Sequence, residues 1–102
     1  MSLDIARDDG QTRVRFSDEL NIYTAAAVRD ALLALPADAP PCRLDLGDVI
    51  EIDCAGLQLV LAALRSLPAS TLERCSAPVR DSLTLCGFEA LLPAADPSSG
   101  EQ

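Results

Sequence analysis

The chain contains no histidine and no lysine, and Phe16, Tyr23 and Phe88 are its only aromatic residues. Structural zinc needs clustered thiolates or imidazoles. The four cysteines, Cys42, Cys54, Cys75 and Cys86, form no C-x-x-C pair, so the sequence offers no zinc knuckle and no metal is expected. Three of them fall in apolar patterns, where cysteine behaves as a small hydrophobe, and reduced, structural roles are expected. Basic charge is also scarce, with eight basic residues against sixteen acidic ones and a net charge of −8. The basic residues are scattered along the chain. Binding of DNA or RNA, which needs a basic patch to neutralise phosphates, is not expected, and an anionic lipid surface is disfavoured for the same reason.

Long apolar runs are missing as well. The longest, residues 57–64, is interrupted by Gln58 and is far too short to cross a bilayer, so no direct membrane insertion is expected. The first ten residues carry neither a positive n-region nor an apolar h-region, which argues against a secretory signal and for a cytoplasmic protein. What is present is aliphatic. At 102 residues and 49% hydrophobic content the chain is expected to form one domain with a core of Leu, Val, Ile and Ala.

Residues 3–6 and 13–16 read as strands joined at Asp9-Gly10, a hairpin signal. Residues 24–35 read as a helix, capped by Thr24, buried through Val28, Leu32 and Leu35, and ended at Pro36. A stiff P-A-D-A-P-P connector over 36–41 leads into a strand over 42–46. After a helix over 57–67 closed by Pro68, a strand is expected near 71–75 and a helix from about 78 to 85, with proline in its first turn. Helical crossovers favour parallel pairing of the later strands. The fold class is therefore α/β, a small mixed β-sheet with helices packed on it. Residues 93–102 have few core-forming side chains and read as a disordered tail.

The most informative segment is 44–67, L-D-L-G-D-V-I-E-I-D-C-A-G-L-Q-L-V-L-A-A-L-R-S-L. Its first part alternates, with Cys42, Leu44 and Leu46 on one face and Arg43 and Asp45 on the other. Its last part repeats at helical spacing through Leu57, Val60, Leu61 and Leu64, a stripe best explained by core packing. Between them lies a loop with two aspartates and a glycine, and Asp53 stands where a helix cap accepts backbone N–H bonds, so the helix should begin at about 54–56. Asp45 and Asp53 could form a carboxylate pair for acid–base work or Mg²⁺. No histidine, lysine or phosphate-cradling glycine loop accompanies them, and a cap at Asp53 with a solvated strand end at Asp45 is the better account.

The run Ile52-Asp53-Cys54-Ala55-Gly56-Leu57, following Leu44-Asp45-Leu46, resembles the signature of the STAS domain, named for sulphate transporters and anti-sigma factor antagonists. Glu19-Leu20-Asn21 with Thr24-Ala25 is similar to the family's lead into its first helix, and A-P-V-R-D-S-L-T-L-C-G-F-E-A-L-L over 77–92 to its last helix. The resemblance implies a STAS-like domain over residues 1–92 that binds a protein partner and is not an enzyme, with no cofactor. In the family's switch members a serine or threonine directly before the motif glycine is phosphorylated. Here that position is Ala55, and the residue before it, Cys54, also lacks a hydroxyl. The usual phosphorylation switch cannot operate at Ala55.

The expected partner-binding surface is the start of the motif helix, Asp53, Cys54, Ala55, Gly56 and Gln58, with Asn21, Ile22 and Tyr23 from the preceding loop. Tyr23 either offers an exposed interface contact or covers the first helix, and both readings stand. A thiol at a helix start can be activated by the helix dipole, but Asp53 and Glu51 oppose a thiolate at Cys54, which favours a small side chain filling the Ser or Thr niche. Resemblance points to a bacterial signalling partner, either an anti-sigma factor of the kinase class or a chemotaxis-type signalling complex. The alternative is an MlaB-like accessory subunit that binds the ATPase of a phospholipid-transport ABC transporter. Nothing resembles a P-loop.

Overall fold

The computed structural model describes residues 2–8, 10–35, 41–67 and 69–93. The first two strands, β1 (Ser2–Asp8) and β2 (Gln11–Leu20), pair antiparallel over seven registered positions from Ser2↔Ser17 to Asp8↔Gln11. Gly10 adopts φ +76 at their junction, a conformation open to glycine at little cost. The expected hairpin forms, although Asp9 lies outside the described residues.

Helix α1 (Ile22–Leu33) follows, then β3 (Cys42–Ile52), helix α2 (Cys54–Ser66), β4 (Thr71–Cys75), helix α3 (Ala77–Leu85) and a 3-10 turn over Glu89–Leu91. The sheet order is β1-β2-β3-β4, and β3 is parallel to both of its neighbours. The expected small mixed sheet with parallel later strands is what the chain builds. Residues 36–40, including Pro36, together with Pro68 and the 94–102 stretch of the expected tail, lie outside the described residues.

Alternation decides which face is covered. Thr12, Val14, Phe16 and Leu20 on β2, and Cys42, Leu44, Leu46 and Val49 on β3, are buried beneath the helices. The helices answer with Val28 and Leu32, with Leu57, Val60 and Ala63, and with Val79 and Leu83. Leu61 and Leu64 pack at the margin of this core. Apolar area removed from water is the main stabilising term, at about 25 cal/mol per Å².

The opposite sheet face carries charge. Directly paired positions run Asp4–Arg15–Asp45–Arg74 across all four strands, with the sign alternating at each step. Arg74 Nε donates to Asp45 Oδ1 at 3.0 Å, Arg15 Nε to Asp48 Oδ2 at 2.8 Å, and Arg13 reaches Glu73 with two bonds of 2.8 Å. Three of the eight arginines, scattered in sequence, are thus gathered on one face, where Asp45, Asp48 and Glu73 bond them and Asp4 stands opposite Arg15. Asp45 is not the solvated strand end that its sequence context suggested. It is buried, because Arg74 lies over it and the Gly47 N–H donates to it at 2.9 Å.

Several boundaries differ from expectation, and β1 and β2 both extend beyond the expected 3–6 and 13–16. Strand β3 runs to Ile52 rather than ending at residue 46. Gly47-Asp48 reads as a loop, but irregular pairing with β2 between Arg15 and Ser17 and again between Asp18 and Glu19 absorbs the break in alternation. Helix α1 starts two residues earlier than expected and is capped by Asn21. Its Oδ1 accepts from Tyr23 N (2.9 Å) and Thr24 N (3.2 Å), while Thr24 Oγ1 accepts from Asn21 N at 3.0 Å. Thr24 is therefore the third helical residue of a capping box, not the cap itself. The helix also stops at Leu33, leaving Leu35 beyond it but still packed against the core.

Candidate functional site

The two helix starts are tied together at the end of the sheet where β2 and β3 finish. Asp53 caps α2 as expected, its Oδ1 accepting from Gly56 N at 2.9 Å and its main-chain oxygen from Leu57 N at 2.9 Å. Its second carboxylate oxygen accepts from Ile22 N, in the first turn of α1, at 3.2 Å. One carboxylate thus satisfies an orphan N–H at each of two helix starts. The Asp53 N–H in turn donates to Leu20 O at 3.2 Å.

Gly56 occupies the tightest point. A Cβ there would stand 2.2 Å from the Leu20 carbonyl oxygen, so only glycine lets α2 approach the end of β2 this closely. Gly56 is consequently buried, and its part at this surface is packing rather than contact.

Of the expected surface residues, the structure brings Ile22, Ala55 and Gln58 together along one shallow groove between α1 and α2, with Ala25, Ala26, Arg29 and Leu59. Ala55 is half-buried, and Gln58 and Cys54 are exposed. Ile22 and Tyr23 belong to the first turn of α1 rather than to a loop, at 66% and 90% exposure. Tyr23 therefore covers nothing on α1. Cys54 fills no niche, and Asn21 is occupied with capping. Acidic groups ring this end: Glu19 and Glu51 are paired across β2 and β3, beside the exposed Asp53.

The groove continues toward the far ends of the helices past Leu33, Leu59, Ala62 and Ser66. Its α1 wall was readable as a second stripe, Ile22, Ala26, Arg29 and Leu33, at spacings of four, three and four. That stripe was hidden because Val28 and Leu32 already supply a core face.

No disulfide joins any of the four cysteines. Burial raises the Cys42 thiol pKa, and burial, outweighing the opposing pull of Arg80, pushes that of Cys75 up to about 11. Cys86 and Cys54 are exposed, so only Cys42 and Cys75 act as packing side chains. Among the described residues no group of three or more His, Cys, Asp or Glu side chains could hold a metal ion, and no helix is long and apolar enough to cross a membrane.

These features define a two-layer α/β domain, helices on one sheet face and ion pairs on the other, with exposed apolar side chains in the first turn of α1 and along the α1–α2 groove. The family described as "Mlab, STAS domain" matches residues 3–93, and the chain belongs to the STAS domain family. Solved structures agree on the fold. An anti-sigma factor antagonist from Mycobacterium paratuberculosis superimposes with a TM-score of 0.80 at 23% identity, covering 98% of this chain and 91% of that one. SpoIIAA of Bacillus, an anti-sigma factor antagonist seen in its unphosphorylated form, gives 0.74 at 19% identity, covering 98% and 93%. A sulfate transporter family protein from Wolinella succinogenes gives 0.65 at 20% identity, covering 80% and 71%. No curated protein sequence matches this chain.

Proposed function

We propose that the chain is a non-enzymatic protein-interaction module of bacterial signalling, working in the cytoplasm in the manner of an anti-sigma factor antagonist. Its contact surface is the start of α2 with the first turn of α1. The observation that carries this reading is the pairing of exposed apolar residues, Ile22 and Tyr23, with a helix start held rigidly by Asp53. Exposed aromatic and aliphatic side chains on a pre-organised frame lose little entropy on binding. A non-enzymatic role is supported by the state of the two carboxylates weighed as a catalytic pair. Asp45 is committed to Arg74 and Gly47, and Asp53 to Gly56 and Ile22.

Binding is constitutive in this reading. Ala55 offers no hydroxyl beside the motif glycine, so the partner meets a surface that cannot be phosphorylated there. The partner is an anti-sigma factor or kinase-type regulator, or a chemotaxis-type complex. The second reading, an accessory subunit that binds the ATPase of a phospholipid-transport ABC transporter, is favoured by the description of the matching family.

Affinity capture with the tagged wild-type protein beside Ala55→Glu, with mass spectrometry of the retained proteins, separates them. Loss of a regulator or kinase in the variant supports the signalling reading, and loss of an ATPase subunit supports the transporter reading. Identical partners on both baits would overturn the assigned surface.

A further inference from the structure

Helix α1 is apolar on two sides. Val28 and Leu32 face the core, yet Leu33 is 73% exposed and Ile22 66% exposed on the wall of the α1–α2 groove. Large apolar side chains exposed at helical spacing outside the core face form a surface that a partner can cover. The stripe from Ile22 to Leu33 is roughly 16 Å long, about three helical turns. Ala26, Ala55 and Ala62 keep the groove shallow enough for another backbone to approach.

Charge selects the occupant. Glu19, Glu51 and Asp53 stand at the end where both helices begin, whereas Arg29 is the one charged residue among the described residues that line the groove. Arg13, Arg15 and Arg74 of the sheet face are engaged by acids there, so they do not offset the acidic end. An acidic segment is repelled from that end. From this geometry we infer that the α1–α2 groove receives a basic amphipathic α-helix of the partner protein. Its apolar stripe lies between Ile22 and Leu33, and its basic residues meet Glu19, Glu51 and Asp53. This inference rests on the reading of the chain as a protein-binding module, and it extends the contact beyond the α2 start to the far end of α1.

The test is an NMR titration of the isotope-labelled chain with a synthetic amphipathic peptide of about 18 residues, a leucine stripe with lysine elsewhere. The same peptide with glutamate in place of lysine is the comparison. The lysine peptide should shift the amides of Ile22, Ala26, Leu33, Leu59 and Ala62 and bind about tenfold more tightly than the glutamate peptide. Leu33→Ser should weaken it about fivefold, and Glu19→Gln with Glu51→Gln should remove most of the preference between the peptides. Leu33 is exposed, so its replacement leaves the core intact. Shifts spread over the sheet face, no preference for lysine, or an unchanged affinity in Leu33→Ser would overturn the inference. Shifts confined to residues 53–58 would overturn the helix-in-groove inference while leaving the α2-start reading standing. The capture experiment with Ala55→Glu decides that reading separately.

Discussion

Gly56 of α2 lies directly against the carbonyl of Leu20, so closely that an added methyl group would stand 2.2 Å from the oxygen. One side of this contact is a helix start and the other is the backbone at the end of a central strand, so neither yields as a flexible side chain would. Gly56→Ala should therefore destabilise the fold by about 1–3 kcal/mol, although alanine is the better helix former. Urea denaturation checks this, and a variant as stable as the wild type would refute the close approach.

Asp53 bridges the starts of both helices, and its replacements should separate capping from charge. Asp53→Ala removes the bonds to Gly56 N and Ile22 N and should cost about 1–2 kcal/mol. Asp53→Asn keeps one acceptor oxygen and should lose less, since asparagine caps helices about as well as aspartate. Thermal melts of the two variants give the order. Equal losses would mean that the second carboxylate oxygen is indispensable.

The sheet face makes a contrasting case. Asp45 is buried and accepts from both Gly47 N and Arg74, whereas the Arg74 side chain is 56% exposed. Asp45→Ala leaves the Gly47 N–H without its partner and should cost about 1–2 kcal/mol. Arg74→Ala reopens Asp45 to water and should cost less, about 0.5–1 kcal/mol, because an ion pair with an exposed member is screened. Denaturation midpoints of both variants at low and high salt test the order, with the smaller salt effect expected for Asp45→Ala.

Much of this fold was legible because its signals are local. The Asp53 cap, the Leu57–Val60 stripe and the alternation of Cys42, Leu44 and Leu46 each need only a few consecutive residues to be read. The second half of β3 was not, since Gly47-Asp48 interrupts the period of two and only bulged pairing with β2 restores it. The burial of Asp45 was equally hidden, as it depends on Arg74, a residue 29 positions away on β4. At the candidate site, sequence located the helix start and the missing hydroxyls at Cys54 and Ala55. It missed the α1–α2 groove, whose two walls lie on different helices and meet only in the fold.

The thiols should divide into two pairs. Cys54 and Cys86 are exposed, Cys42 is buried, and Cys75 is half-buried with its pKa pushed up to about 11. At pH 8 roughly one Cys75 in a thousand is a thiolate, so alkylation should be slow there and slow at Cys42 until the chain unfolds. The raised value also fixes a sign. The folded state holds the Cys75 proton more tightly than the unfolded chain, so its contribution to stability is present below pH 9 and is lost as pH rises toward 11. Peptide mapping after brief iodoacetamide treatment should find label on Cys54 and Cys86. Rapid labelling of Cys75 in the folded protein would contradict its burial.

Ala55→Glu, the variant that tests partner binding, should leave the fold nearly untouched. Ala55 is the second residue of α2, where a carboxylate is favoured by the helix dipole at about 0.3–1 kcal/mol. Repulsion from Asp53 and Glu51 acts in the opposite direction, and these exposed groups are screened at ordinary ionic strength. The two effects nearly cancel, so the change in stability should lie within about 0.5 kcal/mol. Binding has no such cancellation, because a charge placed between Ile22 and Gln58 must be desolvated when the groove is covered. A variant that melts with the wild type yet loses its partner would locate the defect at the contact surface, whereas a large fall in melting temperature would show that Ala55 serves the fold.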